Sequence, residues 1–317
     1  MKRIFLLFLP FWAFCADYDC IIVGSSPASL FEALYQKAIG KRVLILESSH
    51  CLGGAWQSIT VCGVEQVDLG CHKIGKNQEL AEFFQEYAGC QIVPLDKPED
   101  PNAEIGENGF YFASGCHELI DHLAKLLQTN SIEILFEQHV CETIVNEERK
   151  EVAVRTANKQ FTTNKVIMTP YTRFCEENEE SNRVKFYHLY LLINDPTPPK
   201  FSYSWGIQNT VRMNNITHFV DLKNTGRQLI ILQTKDLETL QKGELIVDQL
   251  KQKGLIDPCA YLICSQSYIY SQWASSENIL HKQFPKYFDL LDTNHLIKLQ
   301  RYINKWKEAL SIYPPTL

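Results

Sequence analysis

The sequence predicts an α/β chain: a parallel-sheet nucleotide-binding unit first, then a mixed α+β half. Three observations carry this. Residues 18–46 read strand, tight turn, helix, strand, with the hydrophobic pattern changing from apolar run to helical spacing and back. The second strand ends on an acid, Glu47, 23 residues after the turn glycine Gly24, close to the spacing of about 20 at which a dinucleotide-binding unit places its ribose acid. Residues 184–234 then become a succession of strand-like runs with short turns.

The first unit opens on the apolar strand Tyr18–Val23. The turn Gly24-Ser25-Ser26-Pro27 follows, then a helix from about Ala28 to Ala38 and the strand Arg42–Leu46. A helix that starts straight after a strand aims unpaired N–H groups and its positive dipole end at a diphosphate. An acid at the tip of the second strand accepts hydrogen bonds from ribose hydroxyls. The fingerprint G-x-G-x-x-G is changed here: Gly24 keeps the tight turn, while Ser26 and Ser29 stand at the other two positions. A serine at the second position crowds the backbone approach to a pyrophosphate, yet brings a hydroxyl that can donate to it. The other reading of this unit is an ordinary βαβ turn rich in serine.

After Glu47 a loop carries Gly53-Gly54-Ala55-Trp56. Strand-like alternation covers residues 57–74, ending in Asp68-Leu69-Gly70-Cys71-His72. Residues 77–88 and 116–128 have amphipathic helical spacing, and 94–108 is a polar loop. Strands are expected at Gly109–Ala113, Ile132–Phe136, His139–Asn146, Glu151–Thr156 and Lys165–Pro170. In the second half they fall at Lys185–Ile193, Tyr203–Gln208, Ile216–Asp221, Gln228–Gln233 and Ala260–Tyr270. Helix is expected over 236–253, and residues 286–310 are helix-rich.

Composition narrows the function class. Of 317 residues, 45% are hydrophobic and 21% charged, which is a globular balance. The net charge of −6 and the lack of any basic tract exclude nucleic acid as a partner. The acidic run Glu176-Glu177-Asn178-Glu179-Glu180 lacks the ligand spacing of a metal loop. At the start, Lys2-Arg3 precedes 11 apolar residues, Ile4 to Phe14, too few to span a bilayer; small residues follow at Ala13 and Cys15. This matches a signal peptide over residues 1–16, which places the mature chain in the periplasm or secretory pathway; without cleavage the alternative is cytoplasmic. Removing the leader leaves ten of the eleven cysteines, with no C-x-x-C pair. Cys20 and Cys264 lie in apolar runs and read as small buried hydrophobes. Asn215-Ile216-Thr217 is a glycosylation sequon, meaningful only in a eukaryotic secretory chain.

Taken in order, the strand Tyr18–Val23, Gly24, Pro27-Ala28, Glu47, Gly53-Gly54-Ala55-Trp56 and Asp68-Leu69-Gly70-Cys71-His72 resemble the FAD-binding region of the glutathione-reductase-type flavoproteins. Within that group the chain is similar to the branch of amine oxidases, protoporphyrinogen oxidase, phytoene desaturase and UDP-galactopyranose mutase. The resemblance is good over about residues 18–75 and fainter at His139–Ile144, Lys165–Pro170 and Arg212. It implies a Rossmann-like FAD/NAD(P)-binding domain with a parallel sheet, from residues 17–75 and 115–175. It also implies a mixed α+β substrate domain from 76–114 and 183–290, with a helical segment at 291–317.

The cofactor so implied is FAD. Gly24, Ser25, Ser26, Pro27 and Ala28 would face its diphosphate, and Glu47 its adenosine ribose. Gly53 and Gly54 would let the backbone pass close to the diphosphate and ribityl chain. Ala55 and Trp56 would lead toward the flavin, and Val140 would meet adenine through its main chain. Asp68 and His72 fall near the flavin or the domain junction, or are a cap and a junction histidine. Family members close with a Gly-Asp or Gly-Arg segment and a last helix; residues 296–317 contain no glycine. The implied function is hydride transfer from an unidentified small molecule to flavin. One alternative is a binding protein that keeps the fold without chemistry, as Rab GDP-dissociation inhibitors do. Another is a non-redox mutase on a nucleotide sugar, with Arg183, Arg212 and Arg227 as diphosphate ligands. Tyr203, Trp205, Tyr268, Tyr270 and Trp273 line a substrate pocket or pack the second half. Sequence leaves the oligomeric state and any catalytic residue open.

Overall fold

The computed structural model describes residues 16–69, 78–94, 110–169, 183–201, 203–204, 210–217, 220, 222, 224–273, 283–291 and 296–312. Its strands in chain order are β1 (Cys20–Val23), β2 (Val43–Leu46), β3 (Ser58–Val61), β4 (Val64–Asp68), β5 (Ile92–Pro94), β6 (Phe110–Phe112), β7 (Glu133–Leu135), β8 (Val140–Asn146) and β9 (Glu151–Thr156), followed by β10 (Gln160–Thr163), β11 (Val166–Met168), β12 (Arg183–Asn194), β13 (Tyr203–Ser204), β14 (Thr210–Asn215), β15 (Arg227–Thr234), β16 (Tyr261–Trp273) and β17 (Phe288–Leu290). The helices are α1 (Pro27–Ala38), α2 (Gln78–Ala88), α3 (His117–Thr129), α4 (Gly243–Gln252) and α5 (Leu296–Ile312). Residues 1–15 of the expected leader, the run Gly70–His72, the acidic run Glu176–Glu180 and Trp205 lie outside the described residues.

A five-stranded parallel sheet, ordered β17-β11-β1-β2-β7, forms the first layer structure. Both faces of β1 and β2 are covered, so the strands read as unbroken apolar runs rather than alternating ones. Alternate residues serve different layers. Cys20, Ile22, Val43 and Ile45 face a layer built from α1, α2, α3 and α5, through Phe31, Phe84, Leu123 and Ile303. Ile21, Val23, Leu44 and Leu46 face the antiparallel meander β8–β9–β10, through Val140, Val152 and Val154.

Within residues 286–310, read as helix-rich, α5 takes up the stretch from Leu296 onward and the part before it holds a strand. Phe288–Leu290 is a strand pairing in parallel with β11, Val166 opposite Phe288, and α5 behind it packs on α1. A closing strand and helix are therefore present in the parallel-sheet layer, without the glycine expected between them. Three residues are too few to show a strand period, so tertiary pairing decides this element.

Glu32 on α1 is buried, and α5 supplies its partner: Lys305 Nζ donates to both carboxylate oxygens at 2.9 and 3.0 Å. Gln36 adds a further donor, and the Lys305 ammonium stands 3.9 Å from the Tyr35 ring centroid. Truncating the lysine leaves a buried carboxylate without its cation. Lys305 is itself partly exposed, so Lys305→Met is expected to cost about 2 kcal/mol, between the surface and fully buried cases. Urea unfolding checks this; a loss below about 0.5 kcal/mol would place the pair among surface ion pairs.

The second sheet is antiparallel, ordered β13-β14-β15-β12-β16. Its Leu189, Leu191, Ile230 and Leu232 meet Ile246, Val247 and Leu250 of α4. Tyr190, Leu192, Leu229 and Ile231 meet Val61 and Val67 of the β3–β4 hairpin and Tyr111 of β6. Of the strand expected over 216–221, the described residues Ile216, Thr217 and Val220 lie outside any strand, and the strand β14 ends before them at Asn215. That side chain is fully buried, donating to Gln228 Oε1 at 2.7 Å and accepting from the Thr217 hydroxyl at 2.6 Å. A sequon held this way is a structural turn, closed to glycosylation once folded.

Candidate nucleotide-binding site

The first βα turn is built as its sequence requires. Gly24 has φ +92°, where a side chain strains the backbone, and its N–H donates to Leu46 at 2.9 Å. Ser26 caps α1, its hydroxyl accepting from the Ser29 N–H at 3.3 Å, and Pro27 occupies the first turn. The Ser26 and Ser29 hydroxyls lie 3.0 Å apart, so the two fingerprint serines bond to one another. Ser29 is fully buried and still admits close contact between helix and sheet. The N–H groups of Ser25, Ser26 and Ala28 have no acceptor among the described residues. They are the orphan donors of a helix start, the donor set that suits a diphosphate.

Ser25 joins the parts. Its buried hydroxyl donates to Glu47 Oε2 at 2.5 Å and accepts from the Gly53 N–H at 3.1 Å; its carbonyl accepts from the same N–H at 3.1 Å. Glu47 is 5% exposed. Its Oε1 accepts from the Ser49 N–H at 2.8 Å, and its carbonyl accepts from the Gln138 N–H at 2.9 Å. Two engaged oxygens leave further lone pairs for a ribose. Gly53 sits at φ +112°, and a Cβ there would lie 3.2 Å from Ile120 Cγ1. Gly54, exposed at φ +56°, has open space around it. Trp56 is half-buried, edge-on to Phe112 at 6.3 Å. Ala55 lies in the same single helical turn. Val140 opens β8 opposite Thr156 and shares a cluster with Val23 and Leu46, the residues just before Gly24 and Glu47.

Sequence reasoning missed Ser49 and Gln138. Neither belongs to a motif; each is fixed by where the chain turns after Glu47 and after β7. Asp68 turns out to be a tie between elements. Its Oδ1 accepts from the Ser58 hydroxyl at 2.5 Å and from the Cys116 N–H at 2.9 Å, joining β4 to the start of α3. Burial raises its pKa, and these hydrogen bonds work against that rise. His72 lies outside the described residues.

In the second half, Tyr190 is fully buried, and its hydroxyl has no hydrogen-bond partner among the described residues. Burial raises its pKa, with the Tyr268 phenol and Asp68 carboxylate adding to the shift. Tyr268 is exposed. Arg183 and Arg212 lie in β12 and β14, and Arg227 opens β15. Arg227 borders a cleft of about 760 Å³ with Cys62, Glu65, Gln66, Gln91 and Tyr111. The described residues hold no cluster of three or more metal-ligating side chains, and none of their helices is long and apolar enough to cross a membrane.

Residues 22–87 match the family described as NAD(P)-binding Rossmann-like domain. All-trans-retinol 13,14-reductase from Danio rerio is 32% identical over an alignment of 118 residues that covers 34% of this chain and 19% of that relative's length. Among solved structures, UDP-galactopyranose mutase in its reduced form aligns at TM-score 0.67 with 11% identity, covering 94% of this chain and 96% of that one. Cyclohexylamine oxidase from Brevibacterium oxydans aligns at TM-score 0.65 with 11% identity, covering 94% and 99%. Over residues 22–87 the chain therefore matches an NAD(P)-binding Rossmann-like domain, and its fold is similar to those of cyclohexylamine oxidase and UDP-galactopyranose mutase.

Proposed function

We propose that the protein is an FAD-binding oxidoreductase that transfers a hydride from an unidentified small molecule to the flavin. The observation that carries this reading is the Ser25 link. One side chain ties the turn of the βα unit to Glu47 and to Gly53, so the parts expected to grip the ADP half are held as one unit. The N–H groups of Ser25, Ser26 and Ala28, with Gly24 and Pro27 shaping the turn, would hold the diphosphate. Glu47 would hold the ribose and the Val140 main chain the adenine. Gly53, Gly54, Ala55 and Trp56 would lead toward the ring. The bound flavin supplies the hydride-accepting chemistry, and the chain supplies position and electrostatics. The match to the Danio rerio relative spans a fifth of that protein's length, so its reaction is not carried over to this chain.

A second reading, a binding protein without redox chemistry, draws on the turn itself. The Ser26 and Ser29 hydroxyls face each other where the fingerprint has bare glycines. The visible spectrum of the purified full chain separates the two. Flavin bands near about 370 and 450 nm, bleached by substrate or by NAD(P)H, are expected for the oxidoreductase. A colourless protein that takes up no added FAD would sink it.

A further inference from the structure

The larger sheets of this fold guard their edges, with one exception. The parallel sheet ends on β7 and β17, three residues each, which carry Glu133 and Asp289. The meander ends on β10, four residues long, and on β8, which carries Glu142. One edge of the second sheet is β13, two residues long. Short strands and charges keep unpaired backbone groups from recruiting another strand. The other edge of the second sheet is β16, 13 residues reading YLICSQSYIYSQW, with no charge, proline or glycine.

β16 gives its inner edge to β12, in unbroken register from Cys264 to Trp273. Among the described residues no strand pairs with its outer edge, and no turn or loop bonds to its backbone. Its neighbours cover the faces instead. Leu262 packs on the α4 side and Cys264 on the β3–β4 side; Cys264, read as a buried hydrophobe, is half-buried there. The β3–β4 turn reaches β16 through a side chain, Gln266 Oε1 accepting from the Cys62 N–H at 2.9 Å. Tyr261, Ile263 and Tyr268 are 57%, 42% and 38% exposed, so large apolar side chains stand along an open edge.

We propose that β16 is a docking edge for a second copy of this chain. The two β16 strands pair antiparallel about a two-fold axis perpendicular to the sheet, joining two five-stranded sheets into one. A two-fold axis sets the strand against its own sequence, so any charge near the axis would meet its like. β16 brings none. It brings Ser265, Gln266, Ser267 and Tyr268, whose hydroxyls and carboxamide both donate and accept, so each can bond its own kind. That self-complementarity favours a second copy; a charged foreign strand would find no opposite charge on this edge. Ten residues in register supply about ten interchain hydrogen bonds, the number an ordinary specific interface carries. The contact is narrow, one strand edge wide, so the dimer is expected to be a weak one, dissociating in the micromolar range.

The test is sedimentation equilibrium of the full chain over about 1–100 µM. The mass is expected to rise with concentration from 36.5 kDa toward twice that value. Ile263→Lys combined with Tyr268→Lys puts lysines at exposed positions of the edge and should raise the dissociation constant at least about 10-fold. Amide hydrogen exchange needs only the wild-type chain, so it decides the matter whether or not the lysine variant folds. Exchange within residues 264–273 should slow as concentration rises. A wild-type chain that stays at 36.5 kDa up to about 100 µM would overturn the proposal. So would a dimer that the lysines leave unchanged, or one whose exchange protection falls outside β16.

Discussion

Phe31→Ala is expected to remove about 3–5 kcal/mol of folding stability, a large share of what a domain of this kind has. The side chain is 1% exposed. It stands between two aromatic partners from distant parts of the chain, Phe83 of α2 at 5.9 Å and Trp306 of α5 at 5.8 Å. Truncation removes the transfer energy of the ring and leaves a cavity where three helices meet, which rigid neighbours cannot fully close. Phe31→Leu keeps most of the volume and is expected to cost about 1–1.5 kcal/mol. Urea denaturation with an unchanged slope, followed by tryptophan fluorescence, measures both. A loss under about 1 kcal/mol for the alanine variant would show that the α1–α2–α5 junction collapses freely.

Glu47→Gln is expected to weaken FAD binding about 10- to 100-fold, the loss of one charge-assisted hydrogen bond set. The substitution keeps the side chain's shape and leaves an oxygen that can accept from Ser25 or Ser49, so the loop geometry survives. Glu47→Ala goes further: it deprives the Ser25 hydroxyl and the Ser49 N–H of their acceptor, and binding and local order are expected to fall together. Titration of FAD into the deflavinated protein, read by flavin fluorescence, gives the ratio. Unchanged affinity for Glu47→Gln would refute the ribose role and leave Glu47 as the internal tie between the βα turn and the residues after β2.

The parallel core was legible because its physics is local. The apolar run, turn glycine, helix and acid-tipped strand each announce themselves within a few residues, and β1, α1 and β2 form where that pattern puts them. What Ser25 does was not legible. The side chain stands between two fingerprint positions, and its value depends on Glu47 and Gly53 arriving from 22 and 28 residues away. Asp68 shows the same limit, since both its donors are supplied by separate elements. β17 escaped because three residues carry no period. Sequence reveals what one segment does alone; these contacts exist only between segments.

The parallel sheet draws on the chain's beginning, middle and end: β1 and β2, then β7 and β11, then β17 with α5 behind it. A ribosome therefore delivers the whole antiparallel sheet, β12 to β16, before the last strand and helix of the first layer exist. Until α5 emerges, Phe31 lacks Trp306, Glu32 lacks its cation, and the β11 edge stands open beside an apolar face. The second half is thus made in time to fold first, and the parallel-sheet half is sealed after it. Nascent chains halted before residue 288 are the form most exposed to edge-to-edge association and chaperone capture.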